Sequence, residues 1–214
     1  LDEYLYGGNY YGKRPDWLDD AVFYEIYPQS FKDTDGDGIG NINGITEKLP
    51  YIKELGCTAI WINPCFESPF LDAGYDVSDY CRVAPRYGTN DDLVRLFEEA
   101  HKLGMHVLLD IVPGHTSWEH PWFKESMKAD RNEFTDRYVW TDSVWEEPAG
   151  YPSIRGISER DGSCAINFFT HQPALNYGFY KPNAPWQQSM DSEGAVATRE
   201  ALKDVMRFWL FTGL

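Results

Sequence analysis

Residues 33–41 read Asp33-Thr34-Asp35-Gly36-Asp37-Gly38-Ile39-Gly40-Asn41. Oxygen-bearing side chains recur at alternate positions, and the glycines let the backbone curl around a common centre. A hard cation such as Ca²⁺, which takes roughly six to eight oxygen ligands, suits that arrangement. The alternative is a solvated Asp/Gly turn, but three carboxylates this close repel one another unless a counter-charge lies among them. The opening matches an EF-hand loop. Its twelfth position, however, is Gly44 where an EF-hand carries glutamate, and a strand pattern rather than a helix precedes it. The stretch is therefore read as an EF-hand-like calcium loop.

Two further clusters carry chemistry. Asp110-Ile111-Val112-Pro113-Gly114-His115 places an acid and a base just past an apolar run. Such a pair can bind hydroxyls or orient a neighbouring carboxylate, and His115 equally suits a satisfied structural role. Gly74-Tyr75-Asp76-Val77-Ser78-Asp79-Tyr80 sets an aromatic ring beside carboxylates. A ring can stack on the C–H face of a sugar while a carboxylate accepts from vicinal hydroxyls. A plain turn with an amphipathic tyrosine explains the same residues.

The elements that would position these groups follow a regular order. Ala21–Tyr27 reads as a strand ended by Pro28. Ile45, Leu49, Ile52 and Leu55 recur at helical spacing before Gly56, with Pro50 predicting a late start or a bend. Thr58–Ile62 is a second apolar strand. Asn90 is the expected cap of a helix whose face is Leu93, Leu96, Phe97, Ala100 and Leu103, with Gly104 as its stop. Met105–Val112 is a third strand. Strands without polar alternation predict a parallel sheet buried on both faces. Gln29, Asn63, Asp110 and His115 gather after the strands' C-terminal ends, the edge at which parallel α/β folds bind ligands. From Thr116 to about Asn183 the periodicity breaks, and a loop of that length predicts an inserted subdomain. A helix returns from Ala197, with Ala201, Val205, Phe208 and Trp209 on one face.

The acidic balance, a net charge of -15 with 19 scattered Lys and Arg in 214 residues, argues against nucleic acid, which needs a basic stripe. No apolar run approaches the roughly 20 residues that span a bilayer. Residues 1–17 lack a basic start followed by an apolar core, and the chain does not begin with Met, so a processed or trimmed N-terminus is expected. The four cysteines, Cys57, Cys65, Cys81 and Cys164, lack close metal-type spacing and read as reduced core thiols, which favours a cytoplasmic over a secreted setting.

Taken together and in this order, the motifs resemble glycoside hydrolase family 13, the α-amylase family. Phe23–Phe31 resembles its first barrel strand, Asp33–Asn41 the calcium loop of its oligo-1,6-glucosidase and α-glucosidase branch, and Thr58–Pro64 its second strand. Gly74–Tyr80 resembles its GYDxxDY segment, Asp110–His115 its first conserved region, and Gln172-Pro173-Ala174-Leu175-Asn176 its QPDLN segment. The resemblance implies an α/β fold: the first three strands of a TIM (β/α)8 barrel with a subdomain inserted after strand three. Residues 1–20 would be a lead-in, 21–115 three β/α units, 116–183 the inserted subdomain, and 184–214 the return to the barrel with the helix before strand four. It further implies that Tyr75 stacks on the sugar in the cleaved subsite and Asp76 binds that sugar's non-reducing-end hydroxyls. Asp110 would contact both sugar and catalytic cluster, and His115 the primary hydroxyl. Asp33, Asp35, Asp37, the Ile39 carbonyl and Asn41 would hold a structural Ca²⁺. The implied partner is an α-glucan oligosaccharide or disaccharide.

Three positions depart from the family pattern. Gly114 stands for an Asn and Ala174 for an Asp, both tied in α-amylases to a different calcium, so that second site is expected to be absent. Asn41 replaces an Asp, which lowers the charge of the calcium loop. The family's nucleophile Asp, on strand four, and its later Glu and Asp match no segment here. No catalytic residue is assigned, and a fragment inactive by itself is expected. Two other classes compete: a non-catalytic carbohydrate-binding or transport-associated homologue of the same barrel, and a stand-alone calcium-binding module.

Overall fold

The computed structural model describes residues 15–148 and 150–214, and the chain divides into two compact units. Most of the expected lead-in, residues 1–14, lies outside the described residues. The first unit comprises the chain up to Asn63, Pro85–Asp110 and Arg207–Leu214; the second comprises Pro64–Ala84 and Ile111–Met206. The 116–183 segment therefore does not stand as a unit by itself: Pro64–Ala84 and the start of the last helix join it.

In the first unit β1 (Phe23–Ile26) leads through a short helix, α1 (Pro28–Phe31), and the Asp/Gly loop into α2 (Ile42–Glu54), followed by β2 (Ala59–Ile62). β1 and β2 pair in parallel. The second unit begins after β2 and contributes β3 (Phe66–Glu67) and β4 (Asp79–Val83), an antiparallel pair. The first unit then resumes with α3 (Asn90–Lys102) and β5 (His106–Leu109), which completes a parallel sheet of order β1-β2-β5. Backbone bonds from Asn63 N to the Ile26 carbonyl (2.9 Å) and from Asp110 N to the Ile62 carbonyl (3.0 Å) carry the ladder one step further. Asn63 and Asp110 thus sit at the C-terminal edge of the sheet, as the strand pattern predicts.

Both crossover helices start one residue away from, or without regard to, the simplest sequence signal. α3 is capped by Thr89, not Asn90. Thr89 accepts from the Asp92 amide while the Asp92 carboxylate accepts from the Thr89 amide, a reciprocal capping box of the kind that contributes about 1 kcal/mol. α2 begins at Ile42 and runs through Pro50, so the late start expected from that proline is not found. Its buried stripe is Ile45, Leu49 and Ile52, and that of α3 is Leu93, Leu96, Phe97 and Ala100. The two helices pack on each other. Leu55 falls at the C-cap of α2 and is 54% exposed instead of buried.

The three strands pair in parallel, as their apolar runs predict. Ile26, Ile60, Ile62 and Val107 are buried, but Glu25 and Trp61, partners in register, are exposed, as is Phe23. Side chains alternate faces along a strand.

The second unit continues with α4 (Pro121–Ser126), the hairpin β6 (Ser153–Arg155) and β7 (Ser163–Ala165), and most of α5 (Glu193–Phe211), whose end from Arg207 belongs to the first unit. α5 starts four residues earlier than predicted. Ala195, Thr198, Leu202, Val205 and Trp209 form its buried stripe, so the face is rotated from the one expected: Ala201 and Phe208 are only half-buried. Isolated bridges join Tyr138 to Leu175, Trp140 to Cys164 and His115 to Ala174. Around them Phe123 meets Tyr138 edge-on at 5.1 Å and stacks on Trp140 at 5.9 Å. Cys57, Cys65 and Cys164 are buried, and burial pushes the Cys65 thiol up to about 12. A thiol held protonated is a poor nucleophile and a poor metal ligand. No described helix is long and apolar enough to cross a membrane.

His120 caps α4 through Nδ1, which accepts from the Trp122 amide at 3.1 Å, and it is only 4% exposed. Burial first, and then the Arg137 cation, depress its pKa from 6.5 to about 3. A proton binds the unfolded chain more readily than the folded one. Stability from this group is therefore complete above pH 6.5 and is lost as pH falls toward about 3. An Asn at 120 can still cap, so His120→Asn is expected to flatten the difference in urea midpoint between neutral pH and about pH 5. Equal slopes for the two proteins would show that His120 titrates normally.

Candidate functional site

The loop between β3 and β4 carries the Tyr75 and Asp76 motif. Phe70 and Ala73 adopt left-handed φ values of 57° and 52°, followed by Gly74 at 98°. A non-glycine residue in that region costs of order 1 kcal/mol and persists where the surroundings enforce it. Here the enforcement comes from Asp76. Its carboxylate is fully buried: Oδ1 accepts from the Ser68 hydroxyl (2.9 Å) and the Asp72 amide (3.1 Å), and Oδ2 accepts from the Leu71 amide (3.0 Å). These bonds wrap the loop around the carboxylate. The burial departs from the expectation that Asp76 meets a sugar's hydroxyls, because both oxygens are turned into the loop.

The accessible carboxylate beside Tyr75 is Asp72, three residues earlier. It is half-exposed, its carbonyl accepts the Tyr75 amide (2.8 Å), and its Oδ2 accepts from Gln172 Nε2 at 2.6 Å. Sequence reasoning missed it. The signal was present in the Leu71-Asp72-Ala73-Gly74 turn, but adjacency to Tyr75 favoured Asp76.

His115 joins this loop in the same unit. Its Nε2 lies 3.0 Å from the Tyr75 carbonyl and its Nδ1 3.0 Å from the Asn167 amide nitrogen. A carbonyl only accepts and an amide nitrogen only donates, so the ring carries its proton on Nε2. Burial lowers the His115 pKa, which keeps that neutral form. Both ring nitrogens are engaged within the protein, whereas the resemblance gives His115 a bond to the sugar's primary hydroxyl. Gly114 permits this arrangement: a Cβ there would lie 2.8 Å from Asn167 Nδ2, the atom that reaches His115. The backbone of the segment is anchored by tyrosines. The buried Tyr80 hydroxyl reaches the carbonyls of Val112 (2.7 Å) and His115 (3.0 Å), and the Tyr177 hydroxyl donates to the Pro113 carbonyl (2.6 Å).

Phe168 completes the cluster. Its ring meets the His115 ring edge-on at 6.0 Å and is 78% exposed. An aromatic held by its edge with its remainder open suits stacking on an apolar ligand face. Tyr75, Asp76 and His115 are thus brought together with Asp72, Asn167, Phe168 and Gln172. Asp110 lies in the first unit, at the end of β5.

The Asp/Gly loop, residues 33–41, belongs to the first unit. Carboxylate oxygens of Asp33, Asp35 and Asp37 lie within 4.8 Å of one another. Asp33 accepts the amides of Gly36 (2.7 Å), Gly38 (2.9 Å) and Asp35 (3.0 Å), and the first two hold its pKa down to about 2. Asp35 is shifted upward, mainly by the hydrogen bond it shares with the Asp33 side chain. Ile39 donates its amide to Asp37. Asn41 is 5% exposed, and its Oδ1 caps α2 by accepting from the Gly44 amide (2.9 Å) and from the Thr34 hydroxyl (2.9 Å). Gly44 holds the EF-hand glutamate position because a Cβ there would lie 2.0 Å from the Lys32 carbonyl oxygen.

The model for "Alpha amylase, catalytic domain" matches residues 25–214. The chain belongs to the α-amylase family. It is 44% identical over 210 residues to a probable α-glucosidase of Rhizobium meliloti, covering 93% of this chain and 35% of that protein. It is 41% identical over 201 residues to an oligo-1,6-glucosidase of Heyndrickxia coagulans, covering 93% and 34%. Among solved structures, the isomaltulose synthase SmuA from Protaminobacter rubrum superposes with a TM-score of 0.80 at 38% identity, over 94% of this chain and 35% of that one. The trehalose-6-phosphate hydrolase TreA of Bacillus licheniformis gives 0.77 at 39% identity, over 94% and 35%. The chain thus spans about a third of the length of the relatives it matches. Its parallel β1-β2-β5 sheet with interleaved helices is a partial α-amylase-family barrel.

Proposed function

We propose that the complete protein acts on α-glucosidic bonds of disaccharides or short oligosaccharides, and that these residues form part of its substrate pocket. The observation that carries the reading is the Asp72, Tyr75 and Phe168 grouping around a neutral, fully hydrogen-bonded His115. Phe168 and Tyr75 supply apolar faces for a pyranose, and Asp72 an acceptor for its hydroxyls. Asp76 shapes the loop that presents them. Asp110 stands at the C-terminal edge of the first unit's sheet, the edge where this architecture binds ligands, and a hydroxyl contact is proposed for it there.

The chemistry itself requires two carboxyl groups, about 5–5.5 Å apart in a retaining enzyme, one as nucleophile and one as general acid/base. None of the residues above is assigned either part. The relatives, an α-glucosidase, an oligo-1,6-glucosidase and an isomaltulose synthase, support hydrolysis or glucosyl transfer, and retained configuration is part of the proposal. The test is an assay of the purified full-length protein on maltose, isomaltose and sucrose. Neither hydrolysis nor transfer on any of them would overturn the reading.

A structural Ca²⁺ held by Asp33, Asp35 and Asp37 belongs to the same proposal. The carboxylates fit a hard cation: they are close, they face no Lys or Arg within salt-bridge distance among the described residues, and Asp35 is pushed upward by its neighbours. Calcium at millimolar concentration is expected to raise the melting temperature of the full-length protein, and a chelator to lower it, because a ligand that binds only the folded state stabilises it. Asp35→Asn should shrink that response. Identical melting curves with calcium and with chelator would remove the metal from the account.

A further inference from the structure

A cavity of about 250 Å³ lies within the second unit, away from the cluster just described and sharing none of its residues. Trp140, Arg160, Asp136, Asp142, Phe179 and Trp186 are among the residues that line it. Several of their polar groups are unspent. Trp140 is 5% exposed, and its indole N–H has no acceptor. Arg160 directs one guanidinium nitrogen to the carbonyls of Thr135 (2.6 Å) and Ser126 (3.3 Å) and lies 4.9 Å over the Trp140 ring. It makes no salt bridge among the described residues, so the rest of its donor fork is available. Asp142 is exposed and has no hydrogen-bond partner among the described residues. Phe179 and Trp186 meet edge-to-face at 5.6 Å on the same cavity.

We infer that this cavity is a second saccharide-binding site, separate from the substrate pocket, that takes a single sugar ring. The groups that line it include a donor (Arg160) and an acceptor (Asp142). Vicinal hydroxyls answer both, because each hydroxyl can give and receive. An inorganic anion would satisfy Arg160 but meet the carboxylates of Asp136 and Asp142 in a chain of net charge -15. An organic cation would meet Arg131 and Arg160. An apolar ligand would leave every polar group unpaired. The aromatic pair adds an apolar edge of the kind that packs on sugar C–H groups. The inference does not depend on the proposed activity.

The test uses the full-length protein with Asp72→Ala to disable the substrate pocket, and glucose as the probe, followed by ligand-observed NMR and calorimetry. A saturable glucose site is expected to survive in Asp72→Ala. It should weaken roughly tenfold when Asp142→Ala is added, the loss of a charged hydrogen bond. Asp142 makes no bond of its own, so this change leaves folding intact. Trp186→Leu, which keeps apolar volume, should weaken glucose as well. Asp142→Ala alone should leave turnover of oligosaccharide unchanged. Three results would overturn the inference: no glucose binding left in Asp72→Ala, binding indifferent to both cavity variants, or a site that takes inorganic phosphate in place of glucose. Asp142-dependent glucose binding by a protein without glucosidase or transferase activity would sink only the proposed function. Activity without such binding would sink only this site.

Discussion

Asp72→Ala in the complete protein is expected to lower kcat/KM toward α-glucosides roughly 10- to 100-fold, the effect of losing one charge-assisted hydrogen bond. Its unfolding midpoint should stay close to the parent's. The two parts of this expectation come from the same observation. Asp72 is half-exposed and its carboxylate accepts one described bond, from Gln172 Nε2, so water can replace it in the folded protein. A sugar hydroxyl cannot be replaced in that way without loss of affinity. Asp72→Asn separates charge from geometry. Its amide oxygen can still accept from Gln172, so a loss of activity in the Asn variant reports the missing charge at the ligand. Unchanged kinetics in both variants would return the hydroxyl-binding role to another residue.

Asp76→Ala should do the reverse and act first on stability. Three donors, the Ser68 hydroxyl and the amides of Leu71 and Asp72, would lose their acceptor in a place that is 0% exposed. Leaving buried donors unpaired costs about 1–3 kcal/mol for each group that finds no water. A loss of about 3 kcal/mol or more in urea unfolding is therefore expected, with a raised KM, since Tyr75 and Asp72 depend on this loop. Asp76→Asn is no rescue, because it puts an NH2 group against donors. A change within about 0.5 kcal/mol, typical of a surface substitution, would show that the carboxylate is not what holds the loop.

Much of the scaffold was legible because short apolar runs sit between strong breakers. Phe23–Ile26 stops before Pro28, Ala59–Ile62 before Asn63-Pro64, and α3 at Gly104. What was misread depended on partners distant in sequence or on backbone angles that residue types do not announce. Thr89 beat Asn90 as a cap because Asp92 answers it. The cap that Asn41 places on the N-terminus of α2 was not foreseen. Asp76 looked like the ligand because it adjoins Tyr75, and only the left-handed turn at Ala73 and Gly74 reveals that it points inward. The partners of His115 on Asn167, and of Asp72 on Gln172, lie 52 and 100 residues away and leave no local trace.

The bond between Asp72 and Gln172 also has a consequence in time. Its donor is made 100 residues after its acceptor. At roughly 5–20 residues per second, synthesis leaves about 5–20 s in which the first half of the pocket waits for the second. During that interval Asp72 has no amide to hold it and His115 no Asn167 to set its proton. On the proposed reading, β1, α2 and β2 are made well before both halves of the site exist, so a sugar would act on the finished fold and not on the early one.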